Sequence, residues 1–344
     1  MSVKIGIVGA TGYAGLELVR ILSTHPGVQI AALSSVSFEG KKLSEVYPSL
    51  RGRCDLECEN QEAVVERSDV IFACMPHGLS QTLAAECAAC DKLFIDLGAD
   101  FRLESEADYH TWYGGQYEDK ALHEQAVYGL PELFRDEIRG RRIIGNPGCY
   151  PTSIALGLFP ALRAGMAAEP IIIDSKSGVT GAGRGLSQTT HFPDCNEAFS
   201  PYKIASHRHT PEIEQTLSKG AGHPVKVTFV PHLLPVNRGI ESTIYARLQP
   251  GVSEEALRAA YEECYQNEYF VRLLPKGEIA NIKTVKYSNY CDISLHVDER
   301  TSTLIVVSCI DNMVKGAAGQ AVQNMNLLLG LEETTGLTMI PPAF

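Results

Sequence analysis

The sequence lacks two features that would connect it with a membrane or a nucleic acid. No apolar run in the 344 residues approaches the roughly 20 residues that a helix needs to cross a bilayer. Basic residues are few, since 30 Lys and Arg stand against 41 Asp and Glu, giving a net charge of −11 without a basic cluster. Nucleic acids and anionic membranes are bound mainly through clustered basic side chains, so neither is expected as a partner.

Closely spaced cysteine sets are also missing. The ten cysteines are scattered, and the one C-x-x-C pair, Cys87 and Cys90, has no second pair to complete a zinc site. Packing within a helix is therefore the better interpretation of that pair. The first residues enter a strand directly, so no signal peptide is expected. Reduced thiols, a cytoplasmic location and no bound metal are predicted.

The length of 344 residues predicts two domains. In the first part, apolar strands alternate with helical stretches, which is typical of a doubly wound parallel sheet. The second part has several strands in succession with few helices, which favours a mixed or antiparallel sheet. The predicted fold class is α/β, with an N-terminal Rossmann domain over 1–148 and an α+β domain over 149–311.

A glycine-rich turn follows the first strand, Val3 to Val8. Its pattern is G-x-x-G-x-x-G, and a helix follows from about residue 16. Strand, glycine turn and helix are the context of a dinucleotide-binding site, where the helix N-terminus receives the pyrophosphate. An ordinary strand-to-helix turn is the alternative. The residues of the turn predicted to bind the cofactor are Gly9, Thr11, Gly12, Tyr13 and Ala14.

The second strand ends in Ser34 and Ser35, where an NAD-specific site would usually place Asp or Glu for the ribose 2′-hydroxyl. Two small hydroxyl residues, followed by Lys41 and Lys42, suit a 2′-phosphate instead. The sequence therefore predicts NADP (as NADPH) as the cofactor, with Ser34 and Ser35 as binding residues. Serines that are simply solvated are the alternative.

The strongest chemical feature lies at the start of a predicted buried helix, Ser153 to Met166. The preceding segment, Gly145 to Thr152, contains Pro147 and Gly148, which force a turn, and then Cys149. A thiol at a helix N-terminus is biased toward the thiolate, the form that attacks a carbonyl carbon. Cys149 is therefore the candidate nucleophile, and a structural cysteine in a loop is the alternative.

Candidate proton-transfer and anion-binding residues follow Cys149. His207 and His209 precede a helix that Thr210 would cap, with Pro211 at its first position, and an exposed corner is expected for both. In an extended backbone only one of them faces inward, so one is the base and the other supports it or lies at the surface. Metal binding by this pair is disfavoured because no carboxylate or cysteine nearby completes a ligand set.

Two further anion-binding candidates lie in different parts of the chain. A glycine-rich loop after the strand at 170–175 carries Lys176 and Arg184, and it suits an anionic substrate or covers the nicotinamide. Arg102 follows a strand of the first domain, where ligands bind in such folds. A surface ion pair with Glu104 or Glu106 is the alternative for Arg102. His77, also beyond a strand end, is interpreted mainly as a wall residue.

Together these segments resemble the N-acetyl-gamma-glutamyl-phosphate reductase family of arginine biosynthesis, over essentially the whole chain. The cysteine segment and the His-Arg-His-Thr-Pro-Glu segment are highly specific in combination, and no departure is seen at these motifs. The segments that carry the resemblance are 9–15, 145–152, 177–184, 207–212 and 231–239.

The resemblance implies a reaction and roles for the residues. Cys149 attacks the acyl phosphate of N-acetyl-glutamyl 5-phosphate, and NADPH reduces the thioester to N-acetyl-glutamate 5-semialdehyde. His209 is the chosen acid/base, with His207 as the second candidate. The family is similar in architecture to aspartate-semialdehyde dehydrogenase, in which an arginine after a dinucleotide-domain strand binds phosphate. The residues given substrate or nicotinamide roles are Arg102 for phosphate, Arg184 and Arg208 for carboxylate, Asn146 for substrate, and Gly178 and Asn312 for the cofactor.

The resemblance further implies that a final helix, about 312–344, returns to complete the first domain. It also implies a homotetramer or homodimer. For Asn312, a plain helix cap on it or on Asp311 is the alternative. A reductase for the longer aminoadipyl phosphate of a lysine pathway, and a non-catalytic NADP-binding sensor, remain as alternative functions.

Overall fold

The computed structural model describes residues 2–344. Its β-strands are β1 Val3–Val8, β2 Val28–Ser34, β3 Cys58–Glu59, β4 Val70–Ala73, β5 Leu93–Asp96, β6 Ala126–Tyr128, β7 Ile143–Gly145, β8 Ala167–Gly178, β9 Ser200–Pro201, β10 Val227–Leu234, β11 Ile240–Leu248, β12 Val271–Leu273, β13 Cys291–Asp298 and β14 Thr303–Ile310. Its α-helices are α1 Tyr13–Leu22, α2 Leu43–Val46, α3 Gln61–Arg67, α4 Ser80–Ala89, α5 Glu106–Tyr113, α6 Lys120–Gln125, α7 Pro131–Ile138, α8 Cys149–Arg163, α9 Phe192–Cys195, α10 Thr210–Ala221, α11 Glu254–Tyr265 and α12 Gly319–Leu328.

The chain divides into two compact units. Unit 1 consists of Met1–Pro147 and Ala317–Met339, and unit 2 of Gly148–Gly316 and Ile340–Phe344. The division falls within the turn that precedes Cys149. Each unit is built on its own seven-stranded sheet.

Unit 1 is organised around a parallel sheet with the strand order β3-β2-β1-β4-β5-β7-β6. Its central strands are mostly apolar, and most of their residues are buried, as expected for parallel strands covered on both faces. Helix α3 packs on β1 and β2, and α12 packs on α1 and α7. The predicted doubly wound sheet is confirmed, and the carboxyl ends of β1, β4 and β5 bring three connecting loops to one edge.

Unit 2 is organised around a mixed sheet with the strand order β12-β13-β14-β11-β8-β10-β9. Strand β8 lies between the antiparallel β11 and the parallel β10, and β11 continues antiparallel to β14. Helix α8 packs across β8, β11 and β14, and both α10 and α11 pack against α8. The predicted mixed sheet is confirmed, and it places the N-terminus of α8 beside the start of α10.

Helix α8 shows why Cys149 is held firmly at one end of a rigid element. The helix begins at Cys149, with Gly148 at the N-cap and Pro151 in the first turn, where a missing N–H costs nothing. Residues 150–162 are all buried. Tyr261 and Tyr265 of α11 donate hydrogen bonds of 2.6 Å to the carbonyls of Gly157 and Leu156. The nucleophile candidate therefore sits on the most buried helix of unit 2.

Candidate active site

The glycine turn after β1 is constrained at two of its three glycines by the protein itself. Gly9 has a φ of +81°, and a Cβ there would lie 2.4 Å from the carbonyl oxygen of Cys74. A Cβ on Gly15 would lie 2.5 Å from the carbonyl oxygen of Gly9, so α1 approaches the turn only because Gly15 has no side chain. The sequence pattern thus reflects close packing at its first and third glycines.

Gly12 is different, because nothing in the protein requires a glycine at this N-cap of α1. A Cβ on Gly12 would meet no atom closer than 3.4 Å, and its φ of −73° suits any residue. The first turn of α1, which begins at Tyr13 and Ala14, presents backbone N–H groups that have no partner within the helix. A bare N-cap in front of these groups fits a pyrophosphate that approaches the backbone closely.

Backbone and hydroxyl hydrogen bonds hold the glycine turn against the end of β2. The carbonyl of Ser34 accepts hydrogen bonds from the N–H groups of Gly9 and Ala10, at 3.1 and 2.9 Å. The hydroxyls of Thr11 and Ser35 lie 2.6 Å apart, and the Tyr47 hydroxyl donates to the Thr11 carbonyl at 2.8 Å. Ser34 and Ser35 are both buried. The predicted cofactor residues therefore lie together where β1 and β2 end, namely Gly9, Thr11, Gly12, Tyr13, Ala14, Ser34 and Ser35.

This difference between the glycines gives a paired prediction. Gly12→Ala is expected to fold normally and to weaken dinucleotide binding about tenfold or more, since a lost close contact worth about 1.4 kcal/mol has that effect. Gly15→Ala is expected to lower the free energy of unfolding by about 1–3 kcal/mol through overpacking. Thermal unfolding and NADPH titration of both variants test the pair. Equal affinity in wild type and Gly12→Ala would contradict it.

Two buried aspartates that the sequence analysis missed hold the loops after β4 and β5. Asp100 accepts hydrogen bonds from the N–H groups of Gly78 and Ser80, at 2.6 and 2.9 Å, and from the Tyr109 hydroxyl at 2.8 Å. Asp96 accepts from the Ser80 hydroxyl at 2.8 Å and from the Gly98 N–H at 2.8 Å. Burial, and secondly the charge of Asp100, raise the pKa of Asp96 to about 6. The signal available in the sequence was an Asp at each end of Asp-Leu-Gly-Ala-Asp, a segment that begins at the last residue of a strand.

Arg102 lies at the same edge, and it is buried. Its Nε donates to the carbonyl of Asn146 at 2.7 Å, and its Nη2 donates to the carbonyl of Leu97 at 2.9 Å. These bonds fix the guanidinium beyond the end of β5. A positive charge so placed suits an anion, and the phosphate role of Arg102 stays a prediction.

Asn146 is almost fully buried, and its side chain is engaged within unit 1. Its amide donates to the carbonyl of Ala317 at 3.2 Å, and its Oδ1 accepts from the Asn324 side chain at 3.2 Å. Through its backbone carbonyl it also orients Arg102. These contacts support a positioning role for Asn146 more than the predicted direct contact with substrate.

Cys149 is the first residue of α8 and is half-buried. The N–H of the preceding Gly148 donates to Oε1 of Glu212 at 2.7 Å. Glu212 is completely buried and lies in the first turn of α10, three residues after His209. One carboxylate therefore ties the N-cap of the cysteine helix to the histidine segment. Glu212 is the last residue of the His-Arg-His-Thr-Pro-Glu segment, and no role was predicted for it from the sequence.

The two histidines are not on an exposed corner, which corrects the sequence prediction. His207 is buried, His209 is half-buried, and their rings lie 4.9 Å apart. Both rings contact Tyr150, at 5.5 and 6.0 Å between centroids. The backbone turns here instead of running extended, so both side chains lie on the same side.

The start of α10 also differs from the prediction. His209, not Thr210, is the N-cap residue, and the Thr210 hydroxyl donates backward to the carbonyl of His207 at 2.8 Å. The His209 N–H donates to Nδ1 of His207 at 3.1 Å. Burial, and then the nearby charges of Lys203 and Arg208, lower the pKa of His207 to about 4. His207 is therefore a neutral acceptor that orders the segment, which leaves His209 as the better candidate for proton transfer.

Two tyrosines line the back of this cluster. The Tyr202 hydroxyl donates to that of Tyr150 at 3.1 Å. Burial raises the pKa of both phenols, to about 12 for Tyr202, and the charge of the Cys149 thiolate adds to the increase in both cases. Both hydroxyls therefore stay protonated and are close enough to Cys149 to sense its charge.

The glycine-rich loop after β8 is held by the segment before β11. The N–H groups of Gly178, Val179 and Thr180 donate to the carbonyls of Gly239, Val236 and Asn237, respectively, at 2.9, 2.9 and 3.2 Å. A Cβ on Gly178 would lie 2.7 Å from the Asn237 carbonyl oxygen. Close approach of two backbones therefore explains this glycine independently of a ligand.

Asn312 completes this loop's support. Its Oδ1 accepts from the Gly239 N–H at 2.8 Å, and its amide donates to the Thr180 hydroxyl at 2.9 Å. The residue that caps the following turn is Asp311, whose carboxylate accepts the N–H groups of Met313 and Val314. Both the oxygen and the nitrogen of the Asn312 amide thus make hydrogen bonds that support the loop. A contact of Gly178 or Asn312 with the nicotinamide stays a prediction.

Arg184, Arg208 and His77 are the remaining predicted residues. Arg184 is exposed, and Arg208 is half-buried and close enough to His207 to lower its pKa. The ring of His77 packs edge-on against Tyr113, 5.6 Å away, and its interpretation as a wall residue stays a prediction. Among residues 2–344, no group of three or more His, Cys, Asp or Glu could hold a metal ion. Within the same range, no helix is both long and apolar enough to cross a membrane.

Comparison with known proteins connects both units with one group of enzymes. Residues 4–141 match the family model of the semialdehyde dehydrogenase NAD binding domain, and residues 149–312 match that of the semialdehyde dehydrogenase dimerisation domain. A curated relative from Brachyspira hyodysenteriae, N-acetyl-gamma-glutamyl-phosphate reductase, is 56% identical over 351 residues, covering 99% of this chain and 100% of the relative.

Solved structures share the fold at low sequence identity. The aspartate semialdehyde dehydrogenase II of Vibrio cholerae, complexed with ASA, has a TM-score of 0.74 at 17% identity, covering 96% of this chain and 99% of that chain. The aspartate semialdehyde dehydrogenase of Candida albicans, solved with NADP, has a TM-score of 0.69 at 16% identity, covering 95% of this chain and 98% of that chain.

Proposed function

Because the chain belongs to the N-acetyl-gamma-glutamyl-phosphate reductase family, we propose that it reduces N-acetyl-glutamyl 5-phosphate to N-acetyl-glutamate 5-semialdehyde and phosphate, with NADPH, in arginine biosynthesis. The observation that carries this proposal is the position of Cys149 as the first residue of α8. The N-cap amide of that helix is held by Glu212, from the same segment as His209. Family membership disfavours the lysine-pathway and sensor alternatives.

Cys149 performs the first step in this mechanism. Its thiolate attacks the acyl carbon, the carbon–oxygen bond to phosphate breaks, and a thioester forms on Sγ while inorganic phosphate leaves. The N-terminal N–H groups of α8 and the helix dipole favour the thiolate over the thiol. Because Glu212 accepts a hydrogen bond from the Gly148 N–H, the backbone that leads into α8 is held in place before substrate binds.

His209 is proposed as the acid/base, with His207 supporting it. After reduction, a thiohemiacetal on Cys149 must lose its hydroxyl proton as the carbon–sulfur bond breaks and the aldehyde leaves. His209 lies beside Tyr150, the residue next to Cys149, and can accept that proton. His207 accepts the N–H of His209 and thereby fixes the backbone that carries it.

The cofactor proposed for unit 1 is NADP. Its residues fit the group, since Gly12 leaves the turn open and β2 ends in two serines, without a carboxylate that would oppose a 2′-phosphate. When bound, NADPH supplies the hydride that reduces the thioester. The chain binds and orients it through Gly9, Thr11, Gly12, Tyr13, Ala14, Ser34 and Ser35, with Gly178 and Asn312 proposed near the nicotinamide.

For the substrate, three arginines are proposed to bind its negative groups. Arg102 is assigned to the phosphate, because it is buried beyond the end of β5 and two backbone carbonyls hold its guanidinium in place. Arg184 and Arg208 are assigned to the carboxylate. Asn146 contributes by orienting Arg102.

Homo-oligomerisation is indicated by the match of residues 149–312 to a dimerisation domain. A homodimer or homotetramer, in the cytoplasm, is the form proposed. Exposed apolar side chains concentrate between residues 186 and 204, namely Leu186, Phe192, Phe199 and Ile204. We expect a second copy to cover some of this surface. Sedimentation equilibrium should give at least twice the chain mass of 37.5 kDa, and a monomer at micromolar concentration would contradict this.

The reverse reaction tests the function directly. Purified protein is mixed with N-acetyl-glutamate 5-semialdehyde, phosphate and NADP, and NADPH formation is followed by absorbance. Aspartate semialdehyde and NAD serve as parallel controls. The expected result is a phosphate-dependent increase with the acetylated substrate and NADP. Absence of any increase, although NADPH binds, would favour the sensor or the longer lysine-pathway substrate instead.

A further inference from the structure

The segment before α12 contains a π-helical turn, Val314–Ala318, where the sequence predicted an ordinary helix. The N–H of Gly316 donates to the carbonyl of Asp311, five residues earlier, at 3.0 Å. A π-turn contains one residue more than an α-helical turn and is rare, and such turns occur frequently at functional sites. The contacts that the turn makes explain why it contains an extra residue.

Asp311 holds this turn in place from several directions. Its carboxylate accepts the N–H groups of Met313 and Val314, at 2.7 and 3.1 Å, and the N–H of Tyr287 at 2.6 Å. Arg238 lies 3.5 Å from the same carboxylate. Asp311 is fully buried. The position of the turn is thus fixed by the core of unit 2.

Gly316 is pressed against the first residue of α8. A Cβ on Gly316 would lie 2.7 Å from Cβ and 3.2 Å from Cα of Cys149. Both of these atoms are anchored at the start of a buried helix and cannot give way as a flexible side-chain end does. The φ of Gly316 lies outside the left-handed region, so backbone conformation does not explain the glycine. The contact with Cys149 does.

We propose that Gly316 is a positioning residue for Cys149, and that the π-turn exists to bring its backbone against the Cβ of the nucleophile. The inference rests on the proposed function, in which Cys149 is the nucleophile. Because the backbone of Gly316 lies directly against the Cβ of Cys149, it fixes the direction in which the Cys149 thiol points at the helix N-terminus. Displacement of a reacting group by about 1 Å can cost 10²-fold in rate.

The variant Gly316→Ala tests this role. We expect kcat to fall about 100-fold while the Kd for NADPH changes less than twofold. We also expect the rate constant for alkylation of Cys149 by iodoacetamide, measured across pH 6–9, to fall at least about fivefold. The reason is that the displaced thiol lies less favourably at the helix N-terminus, which stabilises the reactive thiolate.

Gly157→Ala is the matched control. Gly157 lies in α8, eight residues after Cys149. A Cβ added to it would be 3.0 Å from Ile244 Cδ1 and 3.1 Å from Ser308 Cβ. It should lower the thermal midpoint without changing kcat or the alkylation profile. If Gly316→Ala behaves like this control, with loss of stability alone, the proposal is wrong.

Asp311→Asn covers the case in which Gly316→Ala does not fold. It keeps the number of non-hydrogen atoms and weakens the hydrogen bonds that the carboxylate accepts from the turn, so a lower kcat and slower alkylation are again expected at unchanged NADPH affinity. Wild-type values for both would overturn the proposal. Alkylation does not require reductase activity. A failure of the reductase assay in wild type would therefore count against the proposed function, while the alkylation comparison would still decide the role of Gly316.

Discussion

Cys149→Ala is expected to lower kcat by on the order of 10⁵-fold or more, because no other group can form the covalent intermediate. Binding of NADPH should persist at wild-type affinity, since Cys149 is not among the residues proposed to hold the cofactor, most of which are in unit 1 whereas Cys149 belongs to unit 2. The measurement is the reverse assay with acetylated semialdehyde, phosphate and NADP, together with an NADPH titration. Retained turnover would exclude the thioester mechanism.

Thiol labelling provides the control for this variant. Burial raises the pKa of Cys58 and Cys87 to about 11 and about 12, and it is the main cause that raises the pKa of Cys309 as well. These thiols should react slowly with iodoacetamide at neutral pH, whereas Cys149 lies at a helix N-terminus. One fast phase should be present in wild type and in Cys90→Ala, and absent in Cys149→Ala. Uniform slow labelling of wild type would favour a sensor over an enzyme.

Replacement of the two histidines by asparagine should separate their roles. His209→Asn is expected to lower kcat by about 10²–10⁴-fold, the usual contribution of a general acid/base, and to remove a limb of the pH–rate profile. His207→Asn should lower kcat less than about tenfold, because an asparagine oxygen can still accept the His209 N–H that Nδ1 of His207 accepts now. A larger loss of kcat in His207→Asn than in His209→Asn would transfer the acid/base role to His207.

A second readout for His207 comes from the pH dependence of stability. Its pKa is about 4 in the folded protein, below the ordinary value of 6.5 that applies when the chain is unfolded. The unfolded chain therefore binds more protons between these values, so this contribution to stability is present above pH 6.5 and is lost as the pH falls toward 4. Denaturant unfolding at pH 7 and pH 5 should show a smaller decrease for His207→Asn than for wild type. An unchanged decrease would mean that other groups dominate acid unfolding.

The parts of the fold that could be predicted from the sequence are those whose cause is local. The turn from Gly9 to Gly15 predicts a strand, a tight turn and a helix by itself, and the helix starts at Tyr13 instead of about residue 16. Pro147, Gly148 and Pro151 likewise predict that Cys149 lies at or just before a helix N-terminus. The helix begins at Cys149 itself, instead of at Ser153 as expected. The confirmed alternation of strands and helices follows from apolar periodicity, which depends on neighbours within a few residues.

The parts that were missed depend on residues far apart in the chain. The π-turn at Val314–Ala318 is held by Tyr287 and Arg238 through Asp311, and no pattern within the helix announces those partners. Glu212 looks like an ordinary first-turn glutamate until the structure places Gly148 against it. The histidines were expected at an exposed corner because they precede a helix start, whereas Phe229 and Tyr150 cover His207 in space.

The aspartate pair Asp96 and Asp100 has a consequence for the entropy of ligand binding. Loops normally lose conformational freedom when they close on a ligand, and that loss reduces affinity. Here the loops after β4 and β5 are already ordered, because backbone N–H groups at Gly78, Ser80 and Gly98 donate to carboxylates in place of strand or helix partners. A ligand that binds at this edge of the sheet therefore contacts loops that are about as rigid as helices or strands. Less of its binding energy is spent on ordering the protein, and more remains to hold the ligand in one orientation.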